Sequence, residues 1–274
     1  MSDIVLTAGV RSNLLQLQKT ADLITTTQTR LATGKKVNSA LDNPINFFTA
    51  QGLSNRANDL NNLLDSMSNG ISTIQAANNG ITSITKLVQS AQALASQAQQ
   101  TNDTTVRANL ATQYDSILSQ IDQLAKDSGF NGINLLDSTN SSNLVVTLNE
   151  SGTSSVTITA VDFTVAGALA INNSANSWGS TADITAASTD LTAALTTLRS
   201  QAQAFGSNLS TVQIRQDFTK AMVNTLQSGA DNLTLADTNE EGANLLALQT
   251  RQQLSTTALS LASQAAQAVL RLFQ

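Results

Sequence analysis

Apolar residues recur along most of this chain in alternating steps of four and three, the spacing that lines one seam of a supercoiled helix. In the first segment the series is Val10, Leu14, Leu17, Ala21, Ile24, Gln28 and Leu31, closed at Gly34-Lys35-Lys36 by a glycine C-terminal signal. Asp42-Asn43-Pro44 restarts the helix, with a capping side chain followed by proline in the first turn. The second series is Leu53, Ala57, Leu60, Leu64, Met67, Ile71, Ile74, Asn78, Ile81, Thr85 and Val88. Heptads sustained over that distance predict a helix at least about 50 Å long. After a polar break at Thr101-Asn102-Asp103, a third series of Leu110, Tyr114, Ile117, Ile121 and Leu124 predicts an antiparallel return, a helical hairpin.

The period then changes. Leu144-Val145-Val146-Thr147-Leu148 and Ser155-Val156-Thr157-Ile158-Thr159 are β-branched runs separated by Glu150-Ser151-Gly152-Thr153. They predict a β-hairpin whose sheet continues through Phe163 and Val165. From Leu191 the helical seam resumes through Leu195, Leu198, Ala202, Phe205, Leu209, Val212, Gln216, Thr219, Val223, Leu226, Ala230 and Leu233. A break from Asp237 to Gly242 precedes a last seam of Leu254, Ala258, Leu261, Ala265, Ala268 and Leu272. The pattern thus predicts a mainly α protein, an elongated helical rod of long coiled-coil-like helices from both chain ends, with a small central β-hairpin region.

Composition sharpens this. Of 274 residues 41% are apolar but only 3% aromatic, so the packing must rest on Leu, Ile, Val and Ala seams. Charged residues make up only 12%, leaving a surface of Ser, Thr, Asn and Gln that suits dense packing of identical subunits, where like charges would repel. A net charge of −5 with scattered Lys and Arg argues against nucleic acid as a partner. No run of apolar residues is long enough for a membrane span, so no membrane insertion is expected. Met1 to Thr7 lacks both a basic region and an apolar run, so export would not use a cleaved leader of the ordinary secretory kind.

Catalytic candidates are scarce, because cysteine and histidine are both absent and glutamate occurs only at Glu150, Glu240 and Glu241. Ser-His-Asp triads, Cys-His pairs and histidine-ligated zinc are impossible, and neither catalysis, cofactor nor metal is expected. Asp127-Ser128-Gly129-Phe130-Asn131-Gly132 opens like a calcium loop, with Asp first and Gly sixth. Gly129 and Ser138 occupy positions that should carry strong oxygen ligands, so the segment reads as a turn after a helix. The polar seam positions Asn78, Gln216 and Thr85 either specify register or are tolerated defects, and Asn78 is read as a register device, since a buried amide fixes the pairing of coiled helices.

Several short motifs, in order along the chain, resemble those of bacterial flagellins. Arg30-Leu31-Ala32-Thr33-Gly34 resembles that family's Arg-Leu-Ser-Ser-Gly element, and Asn38-Ser39-Ala40-Leu41-Asp42 the stretch that follows it. Asn69-Gly70-Ile71, then Phe130-Asn131-Gly132 with Leu135-Leu136, fall where the family places a helix signature and a turn. Gln213-Ile214-Arg215 stands near the usual Gln-Asn-Arg, and Ala262-Ser263-Gln264-Ala265 with Val269-Leu270-Arg271-Leu272 resembles the family's close. Asn43 to Phe48 and Ile214 depart from the usual residues, which points to a divergent, alphaproteobacterial branch, and a chain short for that family implies reduced outer variable domains.

The resemblance implies a secreted structural subunit of the flagellar filament that serves swimming motility and leaves the cell through the flagellar type III apparatus. It implies a filament-core domain of residues 1 to 42 with 236 to 274, a helical rod domain of 43 to 137 with 181 to 235, and a β-rich outer excursion at 138 to 180. Subunit contacts in the filament core are expected at Leu14, Leu17, Ile24, Leu31, Leu254, Leu261 and Leu272. Partners implied are further copies of the chain in an open helical homopolymer, other flagellins, an export chaperone, the filament cap and hook-junction proteins. Gln89 to Ala95 lies where receptor-activating flagellins carry a charged Arg-x-x-Arg-Glu-Leu-Ala patch, and here that charge is missing. Two alternatives are a hook-filament junction protein and a cytoplasmic signalling coiled coil. Three glutamates and a mid-chain β-excursion fit the latter poorly.

Overall fold

The computed structural model describes residues 8–272, with the side chains of residues 8, 266 and 269–272 excepted. The chain start inspected for a leader and the side chain of Leu272 therefore lie outside the described residues. Five long helices and one two-stranded antiparallel sheet are described: α1 (Ala8–Thr33), α2 (Pro44–Gln99), α3 (Thr104–Asp127), β1 (Leu144–Thr147), β2 (Ser155–Ile158), α4 (Thr181–Thr234) and α5 (Thr238–Leu272). The chain divides into two compact units, one running to Asn55 and resuming at Thr225, the other Arg56–Asn224.

In the first unit α1 pairs with α5. The face of α1 that this covers runs through Val10, Asn13, Leu17, Thr20, Ile24 and Thr27, with Thr20, Ile24 and Thr27 buried. On α5 the covered line is Glu241, Leu245, Leu248, Gln252, Ser255, Leu259 and Ala262. Arg30 Nη1 donates to Glu241 Oε1 at 3.1 Å across the pair. α1 ends where Gly34 takes φ +68°, and the strand-like exit bonds to the end of α4: Lys36 N donates to Thr234 O at 2.7 Å and Ala236 N to Gly34 O at 2.9 Å. Asn43 Oδ1 caps α2 by accepting from Asn46 N at 3.0 Å, beside Pro44. The break before α5 is a single cap. Asp237 Oδ1 accepts from Asn239 N at 2.9 Å, and the helix begins at Thr238 rather than after Gly242.

The second unit is built on a regular seam. On α2 a buried line runs through Leu60, Leu63, Met67, Gly70, Ile74, Ala77, Ile81, Ile84, Val88, Ala91, Ala95 and Ala98, an unbroken heptad alternation. Leu60, Met67, Ile74, Ile81 and Val88 of the expected series lie on it. Leu64, Ile71, Asn78 and Thr85 are only half-buried, and the packed line takes the residue before each, Leu63, Gly70, Ala77 and Ile84. Asn78 therefore is not the sealed amide that a register device requires, and Thr85 Oγ1 bonds only its own helix, to Ile81 O at 2.7 Å. Gln216 does reach across, donating from Nε2 to Ser68 Oγ on α2 at 2.8 Å.

The turn into α3 is closed by Asp103, whose Oδ1 accepts from Thr105 N at 2.8 Å. Arg107, almost fully buried, donates from Nε to Thr101 O at 2.7 Å and to Ala98 O at 3.2 Å, satisfying the last carbonyls of α2. α3 returns against α2: Ser128 and Leu136, at and beyond its end, crowd Gly80. Asn131 and Gly132 both have positive φ, 49° and 80°, and the flanking Phe130 and Ile133 exchange hydrogen bonds of 2.8 and 3.0 Å. That is the tight hairpin turn favoured by Asn-Gly, and it accounts for the segment that opens like a calcium loop. Asn134 then donates to Ala125 O and Lys126 O at 2.8 and 2.9 Å, capping the carbonyl end of α3.

The β-hairpin pairs Leu144 with Ile158 and Val146 with Val156. Its buried face, Leu144, Val146 and Ile158, includes the valine that rests over Gly70 of α2. The expected continuation through Phe163 and Val165 is not a strand. Both residues are buried in irregular chain, because their backbone groups are taken by other partners: Phe163 N donates to Leu136 O at 2.9 Å and Val165 N to Asp122 Oδ1 at 2.6 Å. Asp115, two helical turns before Asp122, accepts from Ser174 N and Oγ at 2.8 and 2.7 Å. Below them Trp178 packs on Tyr114 with ring centroids 4.9 Å apart, and the Tyr114 hydroxyl donates to Asn172 O at 3.0 Å. Burial, reinforced by Asp190 and Asp115, pushes the Tyr114 phenol above its usual range.

Candidate subunit-contact surfaces

The pairing of α1 with α5 uses one stripe of each helix and leaves a second stripe uncovered. On α5 a second line beside the covered one, Leu246 and then Leu254, Ala258, Leu261, Ala265 and Ala268, is exposed throughout. Leu254 and Leu261 keep 67% and 62% of their surface in the open, and on α1 Leu14 and Leu31 keep 39% and 38%. Helices with one apolar stripe inward and another outward are ordinary at interfaces between copies and costly elsewhere.

Of the contact residues expected from sequence, Leu14, Leu31, Leu254 and Leu261 face outward, and Leu17 is half-buried. Ile24 is covered by packing within its own unit, at 9% exposure, and so is not open to a neighbouring copy. Leucines 15, 23 and 246 were passed over because they lie off the heptad line, yet all are exposed.

A turn between α1 and α2 presents three further apolar side chains, Leu41, Ile45 and Phe48. Asp42 holds the turn: its Oδ2 accepts from Asn38 N at 3.0 Å, Ser39 N at 2.9 Å and Ser39 Oγ at 3.2 Å. The Ser39 and Asn38 amides, in that order, hold its carboxyl below the usual carboxylate range.

In the second unit a shallow cleft of about 420 Å³ lies between the hairpin turn and α4, lined by Leu60, Leu148 and Met222 and by Arg56, Arg215 and Phe218. Arg56 is ion-paired with Glu150, whose carboxyl sits below its usual range through its own backbone amide and then Arg56. Nucleophile, base and orienting group do not converge there. Among the described residues no group of three acidic side chains could hold a metal ion, and no helix is long and apolar enough to cross a membrane.

Long paired helices with outward apolar stripes are the build of a protein that assembles with copies of itself. The model of the bacterial flagellin N-terminal helical region matches residues 7–141, and that of the C-terminal helical region residues 182–273. Flagellin FljO and flagellin FljM of Caulobacter vibrioides are 31% and 32% identical to this chain, each over all of it and 99% of their own length. A flagellin of Brucella melitensis is 28% identical over the whole of both chains. Among solved structures, that of Bacillus cereus flagellin overlaps 58% of this chain and 88% of its own, at 23% identity and a TM-score of 0.49.

The chain belongs to the flagellin family, as a divergent member of alphaproteobacterial type. It is a structural subunit of the flagellar filament, the polymer that serves swimming motility, and its family is one of structural proteins. Full-length matches to flagellins favour neither a hook-junction protein nor a signalling coiled coil.

Proposed function

We propose that the two chain-end helices are the polymerisation device: residues 1 to 42 with 236 to 274 form the filament core, 43 to 137 with 181 to 235 the surrounding helical domain, and 138 to 180 the outer excursion. The observation that carries this is the outward stripe on α1 and α5, where Leu254 and Leu261 are mostly open and Leu14 and Leu31 partly open in a single chain. The family resemblance adds Leu17, half-buried on the face of α1 that α5 covers, and Leu272, whose side chain lies outside the described residues. An open, heterologous helical polymer is the assembly that such stripes support, since a closed ring would stop growing. The subunit works outside the cell without catalysis, cofactor or metal. Its other partners are companion flagellins, an export chaperone, the filament cap and the hook-junction proteins.

Deleting residues 254 to 274 tests this. The second unit should stay folded, because none of its residues is removed, and polymerisation should stop. Hydrogen exchange should show residues 8 to 33 and 243 to 268 better protected in the filament than in the monomer. Filaments grown from the truncated chain, or equal protection in both states, would refute the proposal.

A further inference from the structure

Leu41, Ile45 and Phe48 are 95%, 78% and 62% exposed, a ridge at steps of four and three on the turn before α2 and its first helical turns. It is not a loose segment. Asp42 ties its base to Asn38 and Ser39, Asn43 caps the helix from which Ile45 and Phe48 project, and Phe48 stands edge-on to Phe47 with ring centroids 5.5 Å apart. A rigid apolar ridge is already in its bound shape and loses little freedom when covered.

The first unit thus carries two uncovered apolar surfaces, the ridge and the outer stripe of α5 at Leu246, Leu254 and Leu261. Both are exposed within the same unit, so neither covers the other in one chain. Ridge against ridge would be an isologous contact that closes as a dimer, whereas ridge against stripe joins unlike surfaces and leaves one of each free for the next copy. The α5 stripe is also more open than that of α1, where Leu14 and Leu31 are already more than half covered.

We propose that the Leu41, Ile45 and Phe48 ridge of one copy packs on the outer α5 stripe of a second copy of this chain. The contact rests on the filament reading above and names one of its interfaces. The pair Ile45→Ser/Phe48→Ser leaves the monomer fold intact, since both side chains are exposed, and raises the critical concentration for assembly at least tenfold. Val145→Ser, an exposed apolar change in the second unit, leaves it unchanged.

The chain has no cysteine, so introduced ones report without background. Copies carrying Ile45→Cys are copolymerised with copies carrying Leu246→Cys, Leu254→Cys or Leu261→Cys, and then oxidised. At least one mixture should give disulfide-linked dimers that neither component gives alone. Mixed filaments without such dimers, or a serine variant that melts and assembles like the parent chain, would overturn the contact. Failure of the unaltered chain to polymerise under the same conditions would overturn the filament reading itself, and this contact with it.

Discussion

Gly80 is where α2 makes room for the end of α3, and Gly80→Ala should destabilise the second unit although alanine is the better helix former. A Cβ there would sit 2.3 Å from Ser128 Oγ, 2.6 Å from Leu136 Cδ1 and 2.8 Å from Ser128 Cβ. Leu136 is fully buried and cannot swing away. Ser128 can move only by giving up its 2.6 Å hydrogen bond to Leu124 O. Overpacking of this kind costs about 1–3 kcal/mol, and the lost bond about 1 kcal/mol more. Against this stands a gain of about 1 kcal/mol in helix propensity. The net loss is about 1–3 kcal/mol, or a melting point lower by roughly 5 °C for a unit of this size.

Gly206, in the interior of α4 in the same unit, is the control, because a Cβ there meets nothing within 4 Å. Gly206→Ala should therefore raise the melting point by roughly 2–4 °C. Paired thermal melts followed by far-UV circular dichroism read both signs. Ser128→Gly, added to Gly80→Ala, should recover part of the loss as a coupling between touching sites. If Gly80→Ala melts at or above the parent chain, the close approach of the α3 end to α2 is not what glycine serves at this position.

The remaining predictions concern the two ends of α2. Because Asp42 is held ionised by the Ser39 and Asn38 amides, its turn should persist as pH falls through 3.8 and loosen only below it, as the carboxylate takes a proton at its lowered folded pKa. The Ser39 amide resonance should titrate with a midpoint below 3.8, and a midpoint at or above that value would contradict the assignment. At the other end, Ala91 and Ala95 are buried while Gln89, Ser90 and Ala93 face outward, so the stretch from Gln89 to Ala95 itself offers no charged side chain. Flagellin receptors that read a charged patch there should respond weakly or not at all to purified monomer, a loss of about 2 kcal/mol or more for each missing charged bond. Signalling at the potency of a flagellin that carries the patch would refute this.

Helix number, the hairpin, and the turns at Gly34, Asn43 and Asn131-Gly132 were legible because each depends on local backbone chemistry. The seams were legible in period but not always in phase. On α2 the expected line runs through Leu64, Ile71, Asn78 and Thr85 while the packed line lies one position earlier, and at Gly70 and Ala77 it takes small residues that a hydrophobic count discounts. On α5 the reading followed the leucines at 254 and 261, and the structure pairs the adjacent line through Gln252 and Ser255 with α1. That error of phase traced the outward stripe instead of the inward one. Two of the residues that organise the second unit, Arg107 and Asp115, gave no periodic signal, because what they bond is backbone remote in sequence or beyond a turn. The ridge at Leu41, Ile45 and Phe48 showed only as a departure from the family's usual run.

The threonines of the chain-end helices explain how so polar a surface can be covered by neighbours. Burying a hydroxyl without a partner costs about 1–3 kcal/mol, which would soon exceed what the sparse leucines of α1 and α5 supply. On α1, however, Thr20, Thr25, Thr26, Thr29 and Thr33 each donate to the carbonyl four residues earlier, at 2.8 to 3.1 Å. Thr250 and Thr257 do the same on α5, at 2.9 Å each. Their donors are satisfied before any second copy arrives, and what each threonine turns outward is its methyl group and an oxygen already engaged. Charged side chains at these positions would instead have to shed water or find a counter-ion in every neighbour. A helix surface rich in threonine and poor in charge can therefore be polar enough to stay dissolved as a monomer and still be sealed dry against copies of itself.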